Sequence, residues 1–251
     1  MILQVKNITK TFIVERGMFK RGAGLVRALD GVSFSMEEYS ALGVVGESGS
    51  GKTTLAKIIL GLIPANGGEV IFDERMIADF RKDVQIIFQN PYNSLDPKMR
   101  IINTLAEPLL IHRVIPRHAL KERAIELLRM VGLDEGALSR YPIEFSGGQR
   151  QRICIARALA SEPKFIVLDE PISSLDLTIQ AEMLDLFLAL KERFKLTYIF
   201  ISHNLAVIKQ MADQVIVMES GKIVEQGAKD AIFNSPAKDY TKLLLEAARG
   251  W

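Results

Sequence analysis

Gly46-Glu47-Ser48-Gly49-Ser50-Gly51-Lys52-Thr53 fits the phosphate-binding pattern G-x-x-x-x-G-K-[ST] at every fixed position. Ahead of it, Ala41-Leu42-Gly43-Val44-Val45 is a short apolar run that reads as a buried strand. Behind it, Thr54-Leu55-Ala56-Lys57-Ile58-Ile59-Leu60 carries apolar residues at helical spacing. Strand, glycine loop and helix together are the context that separates this pattern from an ordinary Gly/Ser-rich turn. Glycines let the backbone curl until successive N–H groups point at phosphate oxygens, and the helix N-terminus adds its positive end. Lys52 is placed to reach the β- and γ-phosphates and the Thr53 hydroxyl to hold Mg²⁺. The stretch predicts a nucleoside triphosphate site.

Two further stretches carry chemistry. Phe165-Ile166-Val167-Leu168-Asp169-Glu170 is an apolar run that ends in two acids. A buried strand has little reason to end so unless a positive group sits at its tip. Asp169 is therefore expected to hold Mg²⁺ through a water, and Glu170 to orient or deprotonate an attacking water. Phe145-Ser146-Gly147-Gly148-Gln149 runs straight into a helix with Ile153, Ala156 and Leu159. Exposed glycine amides at a positive helix end make a second anion site. One chain with two phosphate-type sites but one loop of the G-x-x-x-x-G-K-[ST] kind suggests that the second serves another subunit's nucleotide.

The bulk numbers agree. A chain of 251 residues is ample for a real core, and its net charge of +2 argues against a dominant electrostatic role on nucleic acid. A single cysteine, Cys154, permits no internal disulfide and suits a reducing compartment. Met1 to Lys6 lack the zones of a signal peptide, and no apolar run approaches the roughly 18 residues that span a bilayer. The expectation is a protein of the cytoplasm that reaches a membrane only by holding something that crosses it.

Read in order, Leu3 to Ile8 and Val32 to Met36 alternate as strands, and Glu15 to Gly24, rich in Gly, Lys and Arg, reads as a mobile loop. Glu69–Phe72 and Asp83–Phe88 read as further strands. From about residue 90 to 160 helical spacing takes over, with Leu120, Ala124, Leu127, Leu128 and Val131 on one face. Strand character returns at Phe165, and again at Thr197–Ser202. Ser220-Gly221 reads as a tight hairpin between Val215–Met218 and Lys222–Glu225, and a last helix falls within 236–251.

Taken together, these motifs make the whole chain resemble the ATP-binding-cassette ATPases. The resemblance implies an α/β P-loop NTPase with a RecA-like core, an antiparallel β subdomain and an inserted helical subdomain, in one domain over 1–251. It implies roles as well. Phe12 stands where the family stacks adenine. Gly46, Glu47, Ser48, Gly49, Ser50, Gly51, Lys52, Thr53 and Thr54 take the phosphates. Gln89, with Thr53 and Asp169, attends Mg²⁺. Ser146, Gly147, Gly148 and Gln149 match the family's signature sequence, and Asp176 lies in the short loop after the catalytic glutamate. Glu170, His203 and Lys52 are the catalytic set, with ATP and Mg²⁺ as cofactors.

Finer resemblance points to the peptide/nickel importer branch. Phe88 to Pro97 looks like that branch's segment after the lid glutamine. Pro236-Ala237-Lys238-Asp239-Tyr240-Thr241 is similar to its Pro-x-His-Pro-Tyr-Thr pattern, with Lys238-Asp239 in place of His-Pro. The branch implies an importer of peptides or of nickel and related small solutes. It also implies two permeases, a second and different ATPase subunit, an extracytoplasmic binding protein, and a peripheral place on the inner membrane's cytoplasmic face. No nucleic acid partner is expected. The alternative is a non-transport cassette ATPase in a soluble complex, which the presence of one cassette rather than two disfavours.

Overall fold

The computed structural model describes residues 1–15 and 23–249. The loop expected over Glu15 to Gly24 lies, at 16–22, outside the described residues, while its ends, Glu15 and Ala23–Gly24, are paired strand instead, closed by the β1–β2 ladder. The strands are β1 (Leu3–Glu15), β2 (Ala23–Met36), β3 (Ala41–Val45), β4 (Gly67–Phe72), β5 (Val84–Phe88), β6 (Phe165–Asp169), β7 (Thr197–Ile201), β8 (Gln214–Glu219) and β9 (Lys222–Ala228). The helices are α1 (Lys52–Ile59), α2 (Phe80–Asp83), α3 (Pro91–Ser94), α4 (Ile101–Ile111), α5 (Leu120–Met130), α6 (Gly147–Ala160), α7 (Leu177–Phe194), α8 (Leu205–Met211), α9 (Lys229–Asn234) and α10 (Asp239–Arg249). The chain divides into two compact units, one of residues 1–76 with 197–251, the other of 77–196.

In the first unit an antiparallel sheet runs β2-β1-β4. Its alternation is the sequence's own: Leu3, Val5, Val32, Phe34 and Met36 are buried, while Lys6, Ser33 and Ser35 face out. The same unit holds β7, β3 and β8 side by side and parallel, with β9 returning antiparallel. All five residues of β3 and all five of β7 are buried, as expected of strands covered on both faces. Ser220 and Gly221, at φ 47° and 82°, make the two-residue turn between β8 and β9 that their sequence predicts. α8 packs on β3 and β7.

In the second unit β5 and β6 pair in parallel, from Val84↔Phe165 to Phe88↔Asp169. Between them lie α3, α4, α5 and α6, with one 3₁₀ segment between α4 and α5 and two between α5 and α6, and α6 packs against the other three. The buried Ala124, Leu127, Leu128 and Val131 form the face foreseen for α5.

Some elements differ from expectation, among them β1 and β2, which run past the expected Leu3–Ile8 and Val32–Met36 to Glu15 and back to Ala23. Asp83 ends α2 instead of opening a strand, because its carboxylate accepts the Ala78 and Asp79 amides at 2.9 and 3.1 Å. The final helix, Asp239–Arg249, falls inside the expected 236–251, and Glu225 takes the Ala237 and Lys238 amides at 2.7 and 3.2 Å just ahead of it. α9 was not anticipated at all.

Candidate nucleotide site

In the first unit the phosphate loop leaves the carboxyl end of β3. Gly46, Gly49 and Gly51 take φ of +149°, +83° and +105°, which only glycine adopts without strain. A side chain at Gly46 would collide with the Met218 carbonyl of β8, whereas one at Gly49 would meet nothing within 4 Å. One wall of the loop is therefore backbone held tight, and at Gly49 the other is open. Gly221 N–H donates to the Ser50 carbonyl at 3.0 Å, tying the loop to the β8–β9 turn.

Gly51 caps α1 without a side-chain hydrogen bond, and the first turn of the helix holds no acid. Its positive end is left for an anion. Lys52 is buried, and its ammonium donates to the Gly46 carbonyl at 2.8 Å, the Glu47 carbonyl at 2.7 Å and Ser50 Oγ at 3.3 Å. Thr53 is exposed and Thr54 half-buried one residue on. These groups fit a polyphosphate.

His203 belongs to this unit too. β7 lies parallel to β3 in the register Val44↔Ile201, so Ser202 and His203 emerge at the edge from which the phosphate loop springs. Ser202 N–H donates to the Val44 carbonyl at 3.2 Å, and the Asn204 side chain caps α8 through the Ala206 and Val207 amides. His203 is exposed between these fixed points. Phe12, paired with Val26 in β1–β2, presents an exposed ring with Lys10 Nζ 5.2 Å from its centroid.

In the second unit Asp169 is buried at the carboxyl end of β6, opposite Phe88 of β5, so Gln89 and Glu170 leave neighbouring strands at one edge. Gln89 Nε2 donates to Ser173 Oγ at 3.0 Å, and that hydroxyl donates to the Glu170 carbonyl at 3.1 Å. Glu170 has φ +50°, a left-handed conformation that costs a non-glycine residue about 1–3 kcal/mol and gathers at functional sites. Among the described residues no three or more His, Cys, Asp or Glu side chains cluster as a metal cage. The buried Asp169 carboxylate suits Mg²⁺, which needs only one or two carboxylates because it takes most of its ligands from phosphate and water.

Ser146 opens α6 with a capping box: its hydroxyl accepts the Gln149 amide at 3.3 Å, and Gln149 Oε1 accepts the Ser146 amide at 3.0 Å. The expected anion site thus has one first-turn amide already bonded, and the half-buried Gly147 and Gly148 are what it offers. A side chain at Gly148 would meet Ile179 Cγ2 at 2.8 Å. Asp176, expected at a nucleotide, here caps α7 by accepting the Ile179 amide at 3.0 Å.

Sequence reasoning missed two residues near these motifs. Arg150 is buried behind the signature, donates to the Pro142 and Ile143 carbonyls at 2.6 and 3.1 Å, and lies 3.9 Å from the Tyr92 ring. Tyr240 of α10 contacts the phosphate loop at the Glu47 amide. No local pattern announces either contact. Burial pushes the Cys154 thiol of α6 up to about 11 and the Tyr198 phenol of β7 well above its ordinary value.

A glycine loop between a buried parallel strand and a helix, an acid pair ending another parallel strand, and a second glycine-opened helix define a nucleotide-hydrolysing cassette. The family model described as ABC transporter matches residues 29–173. The chain is 46% identical over 256 residues to the Di/tripeptide transport ATP-binding protein DppF of Pseudomonas aeruginosa, covering 98% of this chain and 78% of that one. It is 45% identical to the Oligopeptide transport ATP-binding protein OppF of Streptococcus mutans, covering 98% and 81%. Among solved structures, the dimeric ATP-binding cassette MJ0796 in a post-hydrolysis state with ADP and Pi superposes with a TM-score of 0.76 at 28% identity, over 91% of this chain and 99% of that one. The chain belongs to the ABC transporter family, as an ATP-binding subunit whose ATP hydrolysis is coupled to transport. Among the described residues no helix is long and apolar enough to cross a membrane.

Proposed function

We propose that this chain is one of two unlike ATPase subunits that power a peptide importer from the cytoplasmic face of the inner membrane. It works there with two permeases and, through them, an extracytoplasmic binding protein. The observation that carries the reading is the match of 98% of the chain to a di/tripeptide transport ATP-binding protein at 46% identity. The peptide and oligopeptide names of its relatives favour peptides over nickel as cargo.

In this reading Phe12 stacks on adenine, while Lys52 and the loop amides of Gly46 to Thr54 hold the phosphates. Thr53, Gln89 and Asp169 hold Mg²⁺, which when bound neutralises charge on the phosphate oxygens. Glu170 orients or deprotonates the attacking water, and His203 senses the γ-phosphate. Ser146, Gly147, Gly148, Gln149 and Asp176 face the nucleotide of the partner ATPase. Phosphoryl transfer needs little covalent help, so these residues act by position and charge. Closure is driven by contacts made only while the γ-phosphate bridges both subunits.

Glu170→Gln tests the chemistry. The variant is expected to bind ATP and associate with its partner, with turnover down about 10²- to 10⁴-fold, the usual contribution of a positioned acid–base group. Turnover near wild type would remove Glu170 from the mechanism. Gentle detergent recovery of the tagged chain from native membranes tests the assembly: two permeases and a second ATPase are expected. Soluble proteins alone would overturn the importer reading.

A further inference from the structure

The phosphate loop is held from outside by the C-terminal helix. Tyr240, the second residue of α10, accepts a hydrogen bond from the Glu47 N–H at 3.4 Å. That N–H belongs to the Gly46–Glu47 peptide, and the carbonyl of the same peptide, on Gly46, accepts from Lys52 Nζ at 2.8 Å. In a trans peptide the N–H and C=O point opposite ways in one rigid plane. The Tyr240 hydroxyl and the Lys52 ammonium thus grip opposite ends of a single plane, one from outside the loop and one from within.

This peptide has particular need of such support. Gly46 sits at φ +149°, a region that side chains rarely adopt, so the orientation of its peptide depends on the contacts made by its N–H and C=O ends. Met218 of β8 closes one side of Gly46 with its carbonyl, and the Glu47 N–H is turned to the Tyr240 hydroxyl. The strut is itself anchored. Glu225 of β9 takes the Ala237 and Lys238 amides just ahead of the helix, and Thr241 and Leu245 are buried. Burial raises the Tyr240 pKa, opposed by the Glu47 amide and assisted by the charges of Glu47 and Glu219, so the hydroxyl is neutral at neutral pH.

We propose that Tyr240 is a positioning residue for Lys52: by fixing the Gly46–Glu47 peptide it sets where the lysine ammonium meets the nucleotide's phosphates. The last helix is thereby tied to nucleotide affinity without touching nucleotide. The proposal rests on the reading of Lys52 as a phosphate ligand.

Tyr240→Phe removes the hydroxyl and keeps the ring. Leu243→Ala, an exposed position on the same helix, is the control. ATP affinity is measured on the purified chain by titration with a fluorescent ATP analogue and competition by ATP, alongside its melting temperature without nucleotide. Tyr240→Phe is expected to weaken ATP binding about two- to tenfold, the scale of one hydrogen bond, with melting unchanged and Leu243→Ala unaffected. In the assembled transporter its ATPase KM should rise while kcat holds. Unchanged affinity would overturn the proposal. So would a loss that tracks a lower melting temperature or that Leu243→Ala shares, since either makes the helix a general stabiliser. If the wild-type chain failed to bind ATP, the reading of the loop would fall instead.

Discussion

Gly43 lies in the middle of β3, three residues ahead of the phosphate loop, and its lack of a side chain is what lets α8 approach. A Cβ built there would overlap Ile208 Cγ2, stand 3.0 Å from Ala212 Cβ and 3.4 Å from Ile208 Cδ1. Rotating Ile208 gives no escape, because Ala212 closes the other side and Ile208 is fully buried. In Gly43→Ala the helix must therefore retreat by about 1 Å to restore ordinary carbon contacts. Overpacking of this kind costs about 1–3 kcal/mol. Replacing a strand glycine returns about 0.5–1 kcal/mol of backbone entropy, so the net loss should be about 1–2 kcal/mol. For a protein of this size that lowers the melting temperature by about 3–6 °C. Urea unfolding followed by circular dichroism should show an earlier midpoint with an unchanged slope. The decisive test is a cycle with Ile208→Ala. Alone, that truncation should cost about 2–5 kcal/mol through its cavity; beside Ala at 43 it removes the colliding methyl and should cost about 1–2 kcal/mol less. Since α8 begins directly after His203 and Asn204, turnover should fall as well. A neutral Gly43→Ala, or an additive cycle, would refute the close-approach argument.

Alkaline pH should weaken the fold through Cys154. Its folded pKa, raised to about 11 by burial, exceeds the ordinary 9.0, so the folded state keeps a proton that the unfolded thiol gives up. That stability is whole below pH 9 and is lost as pH rises towards 11, about 2–3 kcal/mol in all. Unfolding of wild type and Cys154→Ala at pH 8.5, 9.5 and 10.5 should show the steeper decline in wild type, and parallel declines would count against it. Two glycines separate backbone strain from collision. Gly61, at φ +64°, has open space around it, whereas Gly68, at φ +84°, faces the Lys6 and Asn7 carbonyls. Gly61→Ala should cost about 1–2 kcal/mol and Gly68→Ala clearly more, as read by chemical denaturation. Equal losses would show that the β1–β4 ladder yields at that point.

What was legible in the sequence was chemistry written on contiguous backbone. The phosphate loop needs glycines at fixed offsets between a buried strand and a helix, so eight residues in a row announce it. The acid pair stands out because Phe165 to Leu168 are apolar and Asp169-Glu170 are not. The β8–β9 turn was readable because Gly221 stands in a two-residue gap between apolar strand runs, and glycine accepts the positive φ such a turn demands. Less legible were elements whose local signals conflict. α4 runs through Pro108, which withholds a backbone donor in the helix interior and which a local reading takes as a stop. α9 is six residues long with two buried, Ile232 and Phe233, too few to show a period.

The contacts that aim the site's residues belong to a different kind of information. Lys52 could be named from its motif, but the peptide that orients it is held by a residue 193 positions later. Arg150 follows the signature directly, yet what it grips are Pro142, Ile143 and the ring of Tyr92. The sequence offers Asp176 and Ser146 as nucleotide contacts, and in the folded chain each caps its own helix. Side-chain caps are local and weak, about 1 kcal/mol, so under the proposed pairing a nucleotide would have little to displace at either helix end. The same hydroxyl and carboxylate serve folding in the chain itself, and the proposed function would use them a second time. A motif records that a residue is needed there; only the folded chain shows what it holds while it waits.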